Sequence, residues 1–417
     1  MSITQASSPA RHPHRVWAEI DLGRLEHNLA AIRERLEDGV ELWLVVKADA
    51  YGHGAASLAK SAERLGIDRF GVGNVDEALE LRAAGIRGRI LVLGTIVDEE
   101  AEPAVRSGVE LGVHSADRCR ALDELGTRCG RRARVHLNVD TGMGRLGLLP
   151  GPALALLKTL QDADGLELAG TMTHLASDHG FADTATREQV QRFAEFLGEA
   201  ARAGLATGEC HVGNSAAVFT ALHPQFNAVR IGLAAFGLLA PQGQLAKGLQ
   251  PILSLRTQIV FFKDVPAGTP IGYGATWRAQ RPSRIATLPV GYSDGIPWRH
   301  AGGGEVLLRG RRAPIVGRVS MDYLTIDVTD VPGAGVGDRV TLIGEDCGKV
   351  ILASDIARVV GTIPYEITCA IGRRVRRVVL PDSSSASLTP APPLEAAPEP
   401  TAIPPQSASR ARGRASR

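Results

Sequence analysis

Residues 43–54 of the chain read Trp43-Leu44-Val45-Val46-Lys47-Ala48-Asp49-Ala50-Tyr51-Gly52-His53-Gly54. The apolar start of this stretch has the length and branching of a buried strand, and we predict a strand over 42–47. A Gly-rich turn then leads into a predicted helix over 54–65. The charge of a lysine at the end of a buried strand must stay solvated or find a partner. A desolvated lysine amine can also form a Schiff base with an aldehyde, so Lys47 is either a solvent-facing strand end or a reactive amine.

A strand-then-helix alternation continues along the chain from this stretch. The predicted strands lie at 42–47, 69–73, 89–93, 109–113, 133–139, 166–172, 209–213 and 227–231, and the predicted helices include 54–65, 76–84, 115–125, 152–161, 186–203 and 215–222. Eight such units over about 200 residues favour a closed (β/α)8 barrel over an open sheet. Reactive residues of such barrels lie where the strands end. The candidates at those positions are Lys47, Arg145, His174, Asn214, Ser215 and Arg230.

The pattern of apolar and polar residues changes after about residue 245. Short alternating stretches, split by Gly and Pro turns, predict a β-rich second domain, and the alternating segment 16–22 could join its sheet. We therefore predict a disordered N-terminus over 1–15, a barrel domain over 16–245, a β domain over 246–380 and a disordered tail over 381–417. The tail is rich in Pro, Ala and Ser, and such a composition cannot bury enough apolar surface to fold.

Composition limits the classes of function. The chain has 417 residues, 44% of them apolar and 22% charged, with a net charge of +2, which does not imply a nucleic-acid or membrane partner. No secretory signal is predicted, and no run approaches the roughly 20 apolar residues of a membrane span. Five scattered cysteines without CxxC spacing predict reduced thiols and no metal site. We expect a cytoplasmic protein.

Several motifs remain ambiguous when each is taken alone. The loop Asp140–Gly147 has glycines that let a ligand approach closely and an arginine, Arg145, that could hold a carboxylate, but it could also be an ordinary surface turn. His174 could orient a neighbour or be a structural histidine. Ser215 could contact a phosphate or simply belong to a helix start. Tyr273, between Gly272 and Gly274, could be an exposed turn residue.

Taken together, these motifs resemble the alanine racemase family, whose barrel-type enzymes use pyridoxal 5′-phosphate (PLP). The resemblance covers about Val16 to Leu380. Its most specific blocks are Val46-Lys47-Ala48-Asp49-Ala50-Tyr51-Gly52-His53-Gly54, which is similar to the cofactor-lysine signature, and Asp140-Thr141-Gly142-Met143-Gly144-Arg145. Further blocks in the expected order are Gly272-Tyr273-Gly274-Ala275, Ser320-Met321-Asp322 and Tyr365-Glu366.

The resemblance implies a homodimer with shared active sites that interconverts L- and D-alanine and supplies D-alanine for peptidoglycan. Lys47 would hold PLP and act as one acid/base, and Tyr273 of the partner subunit would act as the other on the opposite face. Arg230 would face the pyridine nitrogen, and His174 would link it to Tyr273. The substrate carboxylate would lie between Arg145 and Met321. The residues expected around the phosphate are Tyr51, Ser215, Gly232, Leu233 and Tyr365.

One departure from the family concerns the neighbour of Arg145. Many relatives carry a carbamylated lysine at the position of Asn138, and asparagine cannot form a carbamate. We expect a small anion such as chloride to take its place near Asn138 and Arg145.

Three competing interpretations remain open. The enzyme could racemise another or broader range of amino acids, such as serine or basic amino acids. It could be a non-catalytic PLP-binding protein, although relatives of that kind stop after the barrel. It could also be a decarboxylase built on a similar plan, but the Gly302–Gly304 run lies in the wrong domain for the anion-binding glycines of that class.

Overall fold

The structure is a computed structural model that describes residues 13–176, 184–219, 226–239 and 246–380. The predicted tail over 381–417 and most of the predicted N-terminus over 1–15 lie outside these residues. The predicted domain boundary at 245/246 falls at the edge of an undescribed segment. Within the described residues, no helix combines the length and the apolar character needed to cross a membrane.

The chain enters the fold through one strand and one helix, β1 (Val16–Asp21) and α1 (Leu22–Arg33). Eight parallel strands then close into a barrel in sequence order, with the last strand pairing with the first. They are β2 (Glu41–Val45), β3 (Arg69–Val72), β4 (Arg89–Val92), β5 (Glu110–Val113), β6 (Ala133–Asn138), β7 (Leu166–Met172), β8 (Glu209–Gly213) and β9 (Ala228–Ile231). The prediction of a (β/α)8 barrel is confirmed.

Helical segments connect these strands. They are α2 (Lys47–Gly52), α3 (Ala55–Arg64), α4 (Val75–Ala83), α5 (Asp98–Arg106), α6 (Ala116–Cys129), α7 (Pro150–Gln161), α8 (Thr184–Arg202) and α9 (Ser215–Phe219). The sequence prediction omitted α5, which begins with three acidic residues and contains Pro103. A proline inside a helix removes one backbone hydrogen bond, so its pattern is a weak helix signal.

The second part of the fold is a β-rich domain built around a ten-stranded sheet. Its strands are β10 (Leu253–Gln258), β11 (Phe261–Val265), β14 (Ser283–Leu288), β15 (Glu305–Leu308), β16 (Arg311–Val316), β17 (Leu324–Asp327), β18 (Arg339–Asp346), β19 (Lys349–Ile351) and β20 (Arg376–Leu380), with β12 (Pro270–Ile271) and β13 (Trp277–Arg278) as a separate pair. Strand β1 lies between β10 and β20 in this sheet. The prediction that the N-terminal strand joins the β domain is therefore confirmed.

Two helices of the β domain, α10 (Ala353–Val360) and α11 (Pro364–Cys369), were not predicted. Helix α11 contacts α2 of the barrel. Arg377 of β20 reinforces this junction, because its guanidinium donates hydrogen bonds of 2.9 and 3.1 Å to the Gly52 carbonyl oxygen. The β domain thus supports the chain segment that directly follows Lys47.

That segment has an unusual backbone. Four consecutive residues, Ala48 to Tyr51, have φ between 51° and 55°, so the interior of α2 is a left-handed turn. This conformation costs a non-glycine residue roughly 1–2 kcal/mol. Its hydrogen bonds include Ala48 N–H to a Glu77 carboxylate oxygen (2.7 Å) and Ala55 N–H to Asp49 Oδ1 (2.8 Å). Strain of this kind persists only where the surroundings enforce it.

We expect Gly52→Ala to destabilise the protein more than Gly39→Ala does. Both glycines have nearly the same φ, +83° and +84°, so the backbone penalty is matched at about 1 kcal/mol. A Cβ at Gly52 would overlap the Thr368 carbonyl, whereas nothing lies within 4 Å of one at Gly39. Overpacking typically adds about 1–3 kcal/mol. Urea unfolding followed by circular dichroism measures both losses, and equal losses would contradict the close contact of Gly52 with the Thr368 carbonyl of α11.

Candidate active site

Lys47 lies at the C-terminal mouth of the barrel, two residues beyond the end of β2. The prediction of a strand over 42–47 was therefore two residues too long. The last strand-like hydrogen bond is donated by Val46 N–H to the Gly71 carbonyl oxygen (2.8 Å), and the chain then turns into α2. This turn takes Lys47 out of the strand and to the barrel mouth.

The surroundings of Lys47 lower the pKa of its amine. Burial is the largest cause, and the positive charge of Arg145 is the next; Glu77 acts in the opposite direction. The side chain nevertheless keeps access to solvent, so the amine is both partly desolvated and open to a ligand. A lowered pKa increases the neutral fraction, which is the nucleophilic form of an amine.

Arg230 on β9 is a buried cation beside this amine. Its guanidinium donates to the carbonyl oxygens of His211 (2.7 Å) and Thr173 (2.7 Å) and to Nδ1 of His211 (2.9 Å). Burial lowers the pKa of Arg230 to about 10, so the side chain remains charged at neutral pH. Its Nη2 also lies 3.3 Å from Nδ1 of His174 and 3.5 Å from the Val212 carbonyl oxygen.

His174 stays neutral in this setting. Burial, followed by the positive charges of Arg230 and Arg145, lowers the pKa of His174 to about 3. A neutral imidazole can accept a hydrogen bond from the arginine at one nitrogen while its other nitrogen donates. His174 is thus suited to orient a further group at the barrel mouth.

Four of the residues predicted to contact the phosphate lie together beside β9, the eighth strand of the barrel. Ser215 Oγ accepts hydrogen bonds from the backbone N–H groups of Gly232 (3.1 Å) and Ala234 (3.2 Å). A Cβ at Gly232 would lie 2.7 Å from the Tyr51 hydroxyl oxygen, and the rings of Tyr51 and Tyr365 meet edge to face at 6.5 Å. Leu233, the remaining member of the predicted set, follows Gly232 directly and packs against the core.

Arg145 lies on an exposed part of the loop after β6. Asp140 folds this loop by accepting hydrogen bonds from the N–H groups of Gly142, Met143 and Gly144 at 2.9–3.1 Å. In the described part of the chain, Arg145 forms no hydrogen bond or ion pair. None of the described residues therefore occupies its guanidinium.

Two predicted residues lie apart from this cluster. Tyr273 is 72% exposed and Met321 is 55% exposed, and both belong to loops of the β domain. The Met321 carbonyl oxygen accepts hydrogen bonds from Ser293 Oγ (2.6 Å) and Ser293 N–H (3.2 Å). Over the ranges that the structure describes, neither residue contacts Lys47 within the single chain. A single chain therefore brings together only those predicted site residues that belong to the barrel side of the site, without Tyr273 and Met321.

Sequence reasoning missed two residues that support Lys47. The Glu77 carboxylate accepts hydrogen bonds from Ala48 N–H and Gly73 N–H, both 2.7 Å long, and thereby ties the left-handed turn to the neighbouring strand. Arg377 holds Gly52 from the other side. Glu77 lies three residues after the helix cap Asn74, a position at which the sequence indicates only a role in helix capping. Nothing in the sequence links Glu77 to α2.

A closed (β/α)8 barrel with a partly desolvated lysine and two arginines near its mouth offers the groups that an enzyme needs to bind an anionic aldehyde cofactor. The comparison with family models is consistent with this class. The model described as "Alanine racemase, N-terminal domain" matches residues 20–240, and "Alanine racemase, C-terminal domain" matches residues 252–379. The chain belongs to the alanine racemase family.

Individual relatives agree with this assignment. The alanine racemase of Symbiobacterium thermophilum is 42% identical over 87% of this chain and 96% of its own length. The Clostridium difficile 630 alanine racemase, of known structure, is 34% identical, with a TM-score of 0.84 over 89% of this chain and 97% of that one. The Bartonella henselae alanine racemase is 29% identical, with a TM-score of 0.79 over 88% of this chain and 100% of that one; its structure is described as having covalently bound pyridoxal phosphate.

Proposed function

We propose that this chain interconverts L- and D-alanine with PLP as its cofactor and so supplies D-alanine for peptidoglycan. The observation that carries the proposal is the Lys47 amine, of lowered pKa, at the mouth of a barrel that belongs to this family. A Bacillus anthracis alanine racemase of 37% identity is described with bound L-Ala-P, which supports a site for an alanine-like ligand in this fold.

The residues present fit PLP. Lys47 supplies an amine for the aldehyde, and Tyr51, Ser215, Gly232, Leu233 and Tyr365 supply hydroxyl and backbone groups for the phosphate. Arg230 is a buried cation without a carboxylate among its direct partners in the described chain, as expected of a residue that faces a ring nitrogen. When bound, PLP withdraws electrons from the α-carbon of an amino acid and makes its proton acidic.

Proton transfer at that carbon is assigned to two side chains. Racemisation removes the α-proton on one face and returns a proton on the other, so each base must come within hydrogen-bond reach of the same carbon. Lys47 serves one face, and Tyr273 of the partner subunit serves the other. Arg230, being cationic, keeps a proton off the ring nitrogen by charge repulsion, which favours simple proton return over transamination.

The shared site requires a homodimer. The proposal is supported by the exposure of Tyr273 and Met321, which lie on the β-domain surface of a chain whose own Lys47 they do not contact within the described ranges. A phenol presented at 72% exposure between two glycines of positive φ, Gly272 and Gly274, suits contact with a second subunit. His174 would connect Arg230 to Tyr273 of the partner subunit, and the Met321 backbone of the partner subunit would lie beside the substrate carboxylate.

We also propose a cytoplasmic location. All five cysteines are free thiols, and free thiols are typical of a reducing compartment.

Chloride is proposed to bind near Asn138 and Arg145. Arg145 has no carboxylate partner in the described chain, and Asn138 cannot supply the negative charge. Exchange of chloride for the bulky anion gluconate should therefore raise the KM for alanine about threefold to tenfold, because Arg145 loses the anion that orients it. Asn138→Asp, which supplies a carboxylate at the same place, should be insensitive to the exchange. An unchanged KM in the parent enzyme, with no bromide peak near Arg145 in bromide-soaked crystals, would exclude this anion.

The activity itself is tested with the purified chain, PLP and L-alanine, by enzymatic detection of D-alanine. L-Serine and L-lysine are assayed in parallel, since a broader racemase would share the catalytic pair. We expect alanine to have the highest kcat/KM. A higher value for serine or lysine would support the broader racemase, and bound PLP without any racemisation would support a non-catalytic PLP-binding protein.

A further inference from the structure

A row of hydrogen bonds runs through the barrel interior from Arg230 to a buried carboxylate. Arg230 donates to His211 Nδ1 (2.9 Å), His211 Nε2 lies 2.8 Å from His136 Nδ1, and His136 Nε2 lies 2.6 Å from Glu110 Oε2. Glu110 and both histidines are 0% exposed. They lie on β5, β6 and β8, three strands of the barrel.

The direction of each hydrogen bond follows from the chemistry of the end groups. Arginine has only N–H donors, so His211 Nδ1 must accept and His211 Nε2 must carry the proton. His136 Nδ1 then accepts the hydrogen bond from His211 Nε2–H, and His136 Nε2–H donates to Glu110. Burial lowers the pKa of both histidines, so each is a neutral ring that is protonated on Nε2. In this arrangement, both nitrogens of each imidazole ring have a hydrogen-bond partner.

Glu110 is held as an anion at the end of this row. Burial alone would raise its pKa, but hydrogen bonds from Arg89 (2.7 and 2.8 Å) and His136 lower the pKa to about 2. Trp43 fixes the two imidazole rings, since it stacks on His211 with centroids 5.9 Å apart and meets His136 edge-on at 5.7 Å. The row is thus rigid as well as directional.

We propose that Glu110, acting through His136 and His211, is the positioning residue of Arg230. Arg230 has no carboxylate among its direct partners in the described chain, and this row connects it to Glu110, whose carboxylate is itself held by Arg89 (2.7 and 2.8 Å) and Arg134 (2.6 Å). The row fixes the orientation of the guanidinium at the barrel mouth, where it controls protonation of the cofactor ring nitrogen. This role rests on the proposed function, because it needs a cofactor at that place.

Glu110→Gln tests the role, and Glu167→Gln is the matched control. Glu167 on β7 forms an ion pair with Arg134 (3.0 Å), as Glu110 does, but among the described residues it contacts neither histidine nor Trp43. We expect Glu110→Gln to lower kcat about 10- to 100-fold, as loss of an orienting outer group does, with KM nearly unchanged. It should also shift the pH at which the visible absorption of the bound cofactor changes. Glu167→Gln should do neither, and equal behaviour of the two variants would overturn the proposal.

Two further measurements keep the test decisive. Should Glu110→Gln fail to fold, His136→Phe interrupts the row and leaves the ion pairs of Glu110 with Arg89 and Arg134 intact; parental kcat in that variant would refute the role. In the holoenzyme labelled with ¹⁵N-histidine, NMR should show His136 and His211 as neutral Nε2–H tautomers. A ring protonated on Nδ1 at pH 7 would overturn the row. This NMR result is independent of whether alanine is the substrate, so it separates failure of the row from failure of the proposed function.

Discussion

Lys47→Ala should abolish racemisation and remove the visible absorption band of the bound cofactor. Two functions are lost together, because the same amine is proposed to hold the cofactor covalently and to carry the proton on one face of the substrate. Removal of a residue that forms the covalent intermediate typically costs on the order of 10⁴-fold or more in turnover. Racemase activity and the absorption spectrum of the PLP-treated chain are the two measurements.

The control for this variant is Lys60→Ala. Lys60 is exposed on α3, so its removal should change neither activity nor spectrum. Free PLP also reacts with surface lysines, and the comparison therefore has to be made after gel filtration. A visible band that survives in Lys47→Ala and disappears in another lysine variant would transfer the role to that other lysine.

A mixture of Lys47→Ala and Tyr273→Ala chains should recover about a quarter of the parental activity, although each variant alone is inactive. In a two-fold symmetric dimer with shared sites, each site takes Lys47 from one chain and Tyr273 from the other. Random exchange makes half of the dimers hybrid, and each hybrid has one of its two sites intact. The recovered activity is measured after the mixed dimers have exchanged subunits.

The matched control for this experiment mixes Lys47→Ala with Arg230→Gln chains. Both of these residues belong to the barrel of one chain, so each site in a hybrid dimer retains one defect and no activity should return. Recovery in the control, or none in the test mixture when exchange has been shown by mass, would argue against a site completed by Tyr273 of the partner subunit.

Much of the fold could be predicted because barrel strands leave a strong pattern. Strands buried on both faces appear as short apolar runs, and the predicted runs coincide closely with β2 to β9. The helices of the β domain were harder to predict from the sequence, because α10 and α11 are only eight and six residues long and interrupt a strand-rich region. Short helices in such a setting depend on tertiary packing more than on their own periodicity.

The residues of the site likewise divide into those that the sequence predicts and those that it does not. Lys47, Tyr51, Arg145, Ser215 and Arg230 could be selected because each lies in or next to a recognisable block after a strand. Glu110 and His136 could not, because a charged residue within a buried strand gives no sign of its partner. Their role depends on three strands that bring groups 26 to 75 residues apart in sequence into hydrogen-bond contact.

The amino-acid sequence by itself determined the barrel, the added β domain and the choice of Lys47 as the candidate lysine, because periodic apolar runs and local motifs are properties of neighbouring residues. Only the tertiary structure decided that Ala48 to Tyr51 turn left-handed after Lys47, that Glu77 and Arg377 hold this turn, and that Arg230 connects to Glu110. These features cost free energy locally, through backbone strain or through burial of charge. They exist only because distant segments of the chain meet and offset that cost.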